Sequence, residues 1–102
     1  VPAPELPAPV ALAVAPYLME ERRAGAGSLA VAQARREAAE AVTELRLLPF
    51  VRRYPLIEAA NVDRTRRDAL AAEIIRVAKE TERVGGDETA EWWALAGFVT
   101  SR

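Results

Sequence analysis

Two long segments of this chain repeat small and apolar residues at alternating steps of three and four. The first covers residues 29–48 and the second covers about residues 64–84. This spacing is that of a heptad seam, which keeps one face of an α-helix against a neighbouring helix. The two sets are Val31, Ala34, Ala38, Ala41, Leu45 and Leu48, and Leu70, Ile74, Val77, Thr81 and Val84. The sequence therefore predicts two long helices packed through these seams, either as an antiparallel hairpin inside one bundle or as a coiled coil between chains.

The amino-terminal part of the chain predicts two different segments. Four prolines among residues 1–9 forbid a regular helix and favour extended backbone, so these residues form either an extended arm or a disordered tail. Residues 10–23 predict a short helix, which Pro16 kinks or restarts. We expect the arm to precede a single helical domain that covers residues 10–102.

The remaining segments complete an all-α bundle of three to four helices. Pro49 and Pro55 bracket a connector, with at most one helical turn after Pro55, because proline disfavours helix at the residue before it. Asn61 or Asp63 caps the second long helix. After two glycines, Asp87 caps a last helix over about residues 88–99.

The absence of cysteine and histidine limits the chemistry of this chain. It excludes disulfides, thiolate zinc sites, thiol nucleophiles and imidazole bases. Paired carboxylates can act as acid and base, but the clearest pair, Glu40 with Glu44, falls on the predicted solvent face of a helix, where acidity stays ordinary. We therefore expect no enzyme, no cofactor and no metal site.

The last helix is apolar on every face from Trp92 to Val99. Neighbouring residues of a helix point about 100° apart, so Trp92 and Trp93 cannot easily face the same core. One of the two rings is therefore expected at a surface that a partner covers, with Phe98 as a further anchor, although packing of all three inside the protein is the alternative. Phe50 and Tyr54 of the connector are weaker candidates for the same surface.

These features together predict a soluble structural or adaptor subunit that binds another protein or a second copy of itself. A chain of 102 residues has a thin stability margin, which makes association a natural expectation. A small protein inhibitor fits the same features.

A nucleic-acid-binding regulator is the alternative from a different class. Arg64, Arg66 and Arg67 open the second long helix, where a recognition helix presents side chains to bases. We expect them to carry more of any such binding than Arg35 and Arg36, because fewer acids flank them in the sequence. The net charge of −1 weakens this hypothesis.

Hydropathy predicts no segment that spans a membrane, since no run of apolar residues reaches the required length. The chain begins at Val1, which fits an alternative start codon, removal of methionine or cleavage of a signal peptide. We expect a cytoplasmic or virion protein, and export of a mature form stays open.

Overall fold

A computed structural model describes residues 29–60 and 63–101 of the chain. In this part the protein is all-α, with four helices and no strand. They are α1 (Leu29–Arg46), α2 (Phe50–Ala60), α3 (Arg64–Arg83) and α4 (Thr89–Thr100). The prediction of a small helical bundle is confirmed. The proline-rich arm and the short helix predicted for residues 10–23 lie outside the described residues.

Helix α1 packs through the seam that its spacing predicts, with one addition. Ala34, Ala38 and Leu45 are buried, whereas the other members of the predicted set are half-buried. Val42 is buried as well. It lies four residues after Ala38 and three before Leu45, so it widens the same stripe towards one side.

Helix α3 has a defined cap at its start. The Asp63 side chain accepts a hydrogen bond of 2.9 Å from the Arg66 backbone N–H, which satisfies one of the donors that a helix start leaves free. This confirms Asp63 as the cap. Along the helix, Leu70, Ile74 and Val77 are buried as predicted.

The end of α3 is a Schellman turn, and it corrects one member of the predicted seam. Gly85 has a φ of 73°, and the N–H groups of Gly85 and Gly86 donate to the carbonyls of Glu82 and Thr81. Val84 therefore follows the last helical residue and is exposed. The prediction that Val84 packs in the seam is wrong, because the glycine turn ends the helix before it.

The segment predicted as a connector is the helix α2. Pro49 accepts a 3.0 Å hydrogen bond from the Arg52 N–H in the first turn, so it precedes the helix without interrupting it. Pro55 lies inside α2. Its ring nitrogen has no hydrogen to donate to the carbonyl of Val51 one turn earlier, so α2 lacks one of its backbone hydrogen bonds there.

The two long helices pack against each other in parallel. At one end, the Arg66 guanidinium of α3 lies 3.4 Å from the Glu37 carboxylate of α1. At the other end, Arg46 of α1 and Arg83 of α3 line one groove. Because residue numbers rise together along both helices, the predicted antiparallel hairpin is wrong. Helix α2 is the reason, since it returns the chain to the starting end between α1 and α3.

Helix α4 packs against α3 and also against α2. It starts at Thr89, after Glu88, and no side-chain cap is formed there, so the prediction of Asp87 as the cap is wrong. The Thr89 hydroxyl instead donates to the Gly86 carbonyl at 2.8 Å. A helix that is apolar on every face must pack on more than one side, and α3 and α2 are the two partners of α4.

Candidate protein-binding surface

Four of the five aromatic residues predicted as partner anchors meet between α2 and α4. The rings of Phe50 and Trp92 lie 5.9 Å apart between centroids, at an interplanar angle of 75°. The rings of Tyr54 and Phe98 lie 5.0 Å apart at 81°. Both are edge-to-face arrangements, which the ring quadrupoles favour. From the first pair to the second, residue numbers rise along both helices, so α2 and α4 run parallel to each other.

Both tryptophans belong to the core. Trp92 is 1% exposed and Trp93 is 4% exposed, so the expectation that one of them lies at the surface is wrong. The two rings do point in different directions, but α4 has a neighbour on more than one side. Helix α2, which the sequence did not predict, contributes Phe50 to the contact with Trp92. The indole N–H of Trp92 also donates to the Glu88 carboxylate at 3.2 Å.

Arg53 is a buried cation at the centre of this aromatic cluster, a position that was not among the sequence-based predictions. Its guanidinium carbon lies 3.6 Å from the centroid of the Phe50 ring and 4.7 Å from that of Trp92. Its Nε donates a 2.9 Å hydrogen bond to the Leu48 carbonyl. Arg53 thus fastens the turn before α2 to the aromatic core. In a helix, Arg53 lies on the same face as Phe50, three residues earlier. This spacing was the one feature of the sequence that could have indicated contact between the two side chains.

The electrostatics of Arg53 reflect its burial. Desolvation lowers the pKa of its guanidinium below its ordinary value. The carboxylates of Glu88 and Glu91 act in the opposite direction, and the charge of Arg46 adds to the lowering. Its second nitrogen, Nη1, is buried without a hydrogen-bond acceptor. The side chain is therefore held by stacking and by one hydrogen bond more than by an ion pair.

Two aliphatic residues, one in the turn before α2 and one in its first turn, are strongly exposed. Leu47, in the turn before α2, is 83% exposed, and Val51, in the first turn of α2, is 78% exposed. Val51 precedes Tyr54 by three residues, so the two adjoin along the helix. Phe50, Tyr54 and Phe98 are half-buried and keep part of their rings accessible. We call these five residues, which lie in the turn before α2, on α2 and on α4, the α2 edge.

The three arginines proposed for nucleic-acid binding stand at the start of α3, two of them close to acidic residues. Arg64 lies 3.8 Å from the Asp68 carboxylate, and Arg66 lies within 4 Å of both Glu37 and Asp63. Arg67 is half-buried. Folding thus places acids next to Arg64 and Arg66.

Arg35 and Arg36, by contrast, form no ion pair in the part of the chain that the structure describes. In the fold, Arg64 and Arg66 therefore have acidic partners within 4 Å, whereas Arg35 and Arg36 have none among the described residues. Glu37, which pairs with Arg66, belongs to helix α1. The two residues are far apart in the sequence, so the acids that flank Arg66 in the sequence do not reveal this pair.

Residues 29–60 and 63–101 hold no cluster of three acidic side chains placed to bind a metal ion. Glu40 and Glu44 are exposed on α1, as their positions in the sequence predicted. Among the described helices, none is both long and apolar enough to cross a membrane.

Comparison with known proteins adds no relative. No family model, no curated protein and no solved structure matches this chain. The assignment of function therefore depends on the geometry of the α2 edge and of the surfaces around it.

Proposed function

We propose that this chain is a non-enzymatic structural or adaptor subunit, and that the α2 edge is its contact surface with a second copy of the chain. The observation that carries the proposal is the exposure of Leu47 and Val51, each within four residues of the half-buried rings of Phe50 or Tyr54 in the sequence. Burying such an aliphatic side chain fully contributes about 1.5–3 kcal/mol. Exposed aliphatic and aromatic residues that lie together are typical of surfaces that a protein partner covers.

The charges around the α2 edge favour a second copy as the partner. Arg52 and Glu58 lie on α2 itself, and Glu44 precedes Leu47 by one turn. A surface flanked by both signs can place opposite charges together across a twofold axis, because the same patch serves both subunits. An exposed surface of a few side chains is smaller than that of a permanent dimer, so we expect association that depends on concentration.

The tryptophans have a different role in this proposal from the one expected at first. Trp92 supports the α2 edge from beneath by its contact with Phe50, and Phe98 supports Tyr54. Phe50, Tyr54 and Phe98 remain contact residues, whereas Trp92 and Trp93 fix the position of the helix that carries them.

Measurement of molar mass by light scattering over a range of protein concentrations tests the proposal. The wild-type chain should rise from 11.1 kDa towards twice that value as concentration increases. The double variant Leu47→Ser with Val51→Ser should stay at the monomer mass with an unchanged melting temperature, because both side chains are exposed in the monomer.

Leu56→Ser is the matched control. Leu56 is an exposed apolar residue of the same helix, but it lies five residues after Val51 and therefore about 140° around the axis. This variant should associate as the wild type does. A wild-type mass that stays at the monomer value at every concentration contradicts the proposal, as does equal loss of association in both variants.

A further inference from the structure

A groove of about 500 Å³ runs between the parallel helices α1 and α3, and the α2 edge contributes no residue to it. Its floor holds the small or apolar residues Ala39 and Val42 from α1 and Val77 from α3. Thr43 lines it as well. Small side chains such as Ala39 allow the backbone of a third helix to come close, since helices pack with their axes about 8–10 Å apart.

The rim of this groove is positively charged, although the chain as a whole has a net charge of −1. It carries the cations Arg46, Lys79, Arg76 and Arg83 and the two acids Glu73 and Glu80. The two acids are already engaged within α3. Glu73 accepts a 3.2 Å hydrogen bond from Arg76, and Glu80 accepts one of 3.0 Å from Arg83.

Two cations remain for a partner, one on each wall. Arg46 ends α1 and Lys79 lies on α3, and neither forms an ion pair with any residue that the structure describes. Both are exposed.

We propose that the α1/α3 groove binds an acidic amphipathic helix of another protein. Carboxylates along the two sides of such a helix would pair with Arg46 and Lys79, while its apolar stripe would cover the floor between them. A second copy of this chain does not fit, because two identical positive grooves would repel each other. A small inorganic anion would leave the apolar floor uncovered.

Two separate surfaces suit a protein that links others. The mixed charges around the α2 edge suit an identical surface, whereas the net positive charge of the α1/α3 groove selects a partner of opposite charge. The groove lies on other helices and uses other residues, so this inference does not depend on the dimer proposed above.

The probe for the groove is a synthetic fluorescein-labelled peptide of about three heptads, with Leu and Ala in one stripe and Glu at the other positions. Binding to the full chain is measured by fluorescence anisotropy at low salt. The double variant Arg46→Glu with Lys79→Glu should bind this peptide about tenfold more weakly or worse, because two attractive pairs become repulsive. The same peptide with Gln in place of Glu should also lose affinity for the wild type.

Arg52→Glu with Arg64→Glu is the matched control, since both positions are exposed, lie outside the groove and carry the same change in charge. It should bind the peptide as the wild type does, and far-ultraviolet circular dichroism confirms that both double variants stay helical. Lack of peptide binding by the wild type overturns the proposal, and so does an equal loss in the two double variants. Duplex DNA that displaces the peptide and loses binding in the groove variant alone would assign the groove to phosphates instead.

Discussion

At the scale of single residues, neighbouring arginines of this chain have opposite roles. Arg53 is buried between two aromatic rings and donates to the Leu48 carbonyl, whereas Arg52 is exposed and has no ion pair among the described residues. In the sequence the two form an undistinguished doublet. The difference arises from the direction in which α2 presents each position, one towards α4 and one towards solvent.

Lysine substitutions at these two positions should separate the roles. Arg53→Lys keeps the charge but loses the planar stack and the Nε hydrogen bond, so we expect a loss of about 1–3 kcal/mol in the free energy of unfolding. Arg52→Lys should change it by about 0.5 kcal/mol or less. Urea denaturation of both variants measures the difference, and equal effects would show that the Arg53 contacts contribute nothing specific.

At the scale of helices, apolar spacing was sufficient for α1 and α3 and insufficient for α2. A seam of six positions predicts a helix even when half of them are alanine, because the repeat persists over several turns. Helix α2 has only three turns and contains Pro55, so the local penalty of proline dominated the prediction. Helix α2 forms because Arg53, Ile57 and the aromatic rings are buried against other helices, and this burial outweighs the penalty of proline. Such contacts between distant residues cannot be read from a short stretch of sequence.

Truncation of the seam tests the packing of α1 on α3. Leu45→Ala and Ile74→Ala should each lower the free energy of unfolding by about 2–5 kcal/mol, because both side chains are buried and leave a cavity. Leu47→Ala removes the same atoms from an exposed position two residues away and should cost about 0.5 kcal/mol or less. Costs near zero for the two buried positions would mean that the seam does not face the core.

At the scale of the whole molecule, helix direction decides which surfaces are available. The parallel arrangement of α1 and α3 creates the positively charged groove, and the return of the chain through α2 leaves Leu47 and Val51 exposed. The apolar composition of α4 drew attention to aromatic residues that do contact α2, namely Trp92 and Phe98. It did not reveal which aromatic residues of α4 stay accessible to solvent. Accessibility depends on the position of α2, which the sequence did not predict. For that reason a tryptophan was expected at the surface, whereas the strongly exposed residues are the aliphatic Leu47 and Val51.

The most direct test of the central claim is the distance between two copies of the chain at the α2 edge. The chain has no cysteine, so Arg52→Cys and, as a control on α1, Arg36→Cys each give a single attachment point for a nitroxide spin label. Double electron–electron resonance then detects only pairs of labels on different copies. We predict a defined distance for the label at position 52 that is shorter than that at position 36. Absence of any dipolar signal, or a shorter distance at position 36, would contradict association through the α2 edge.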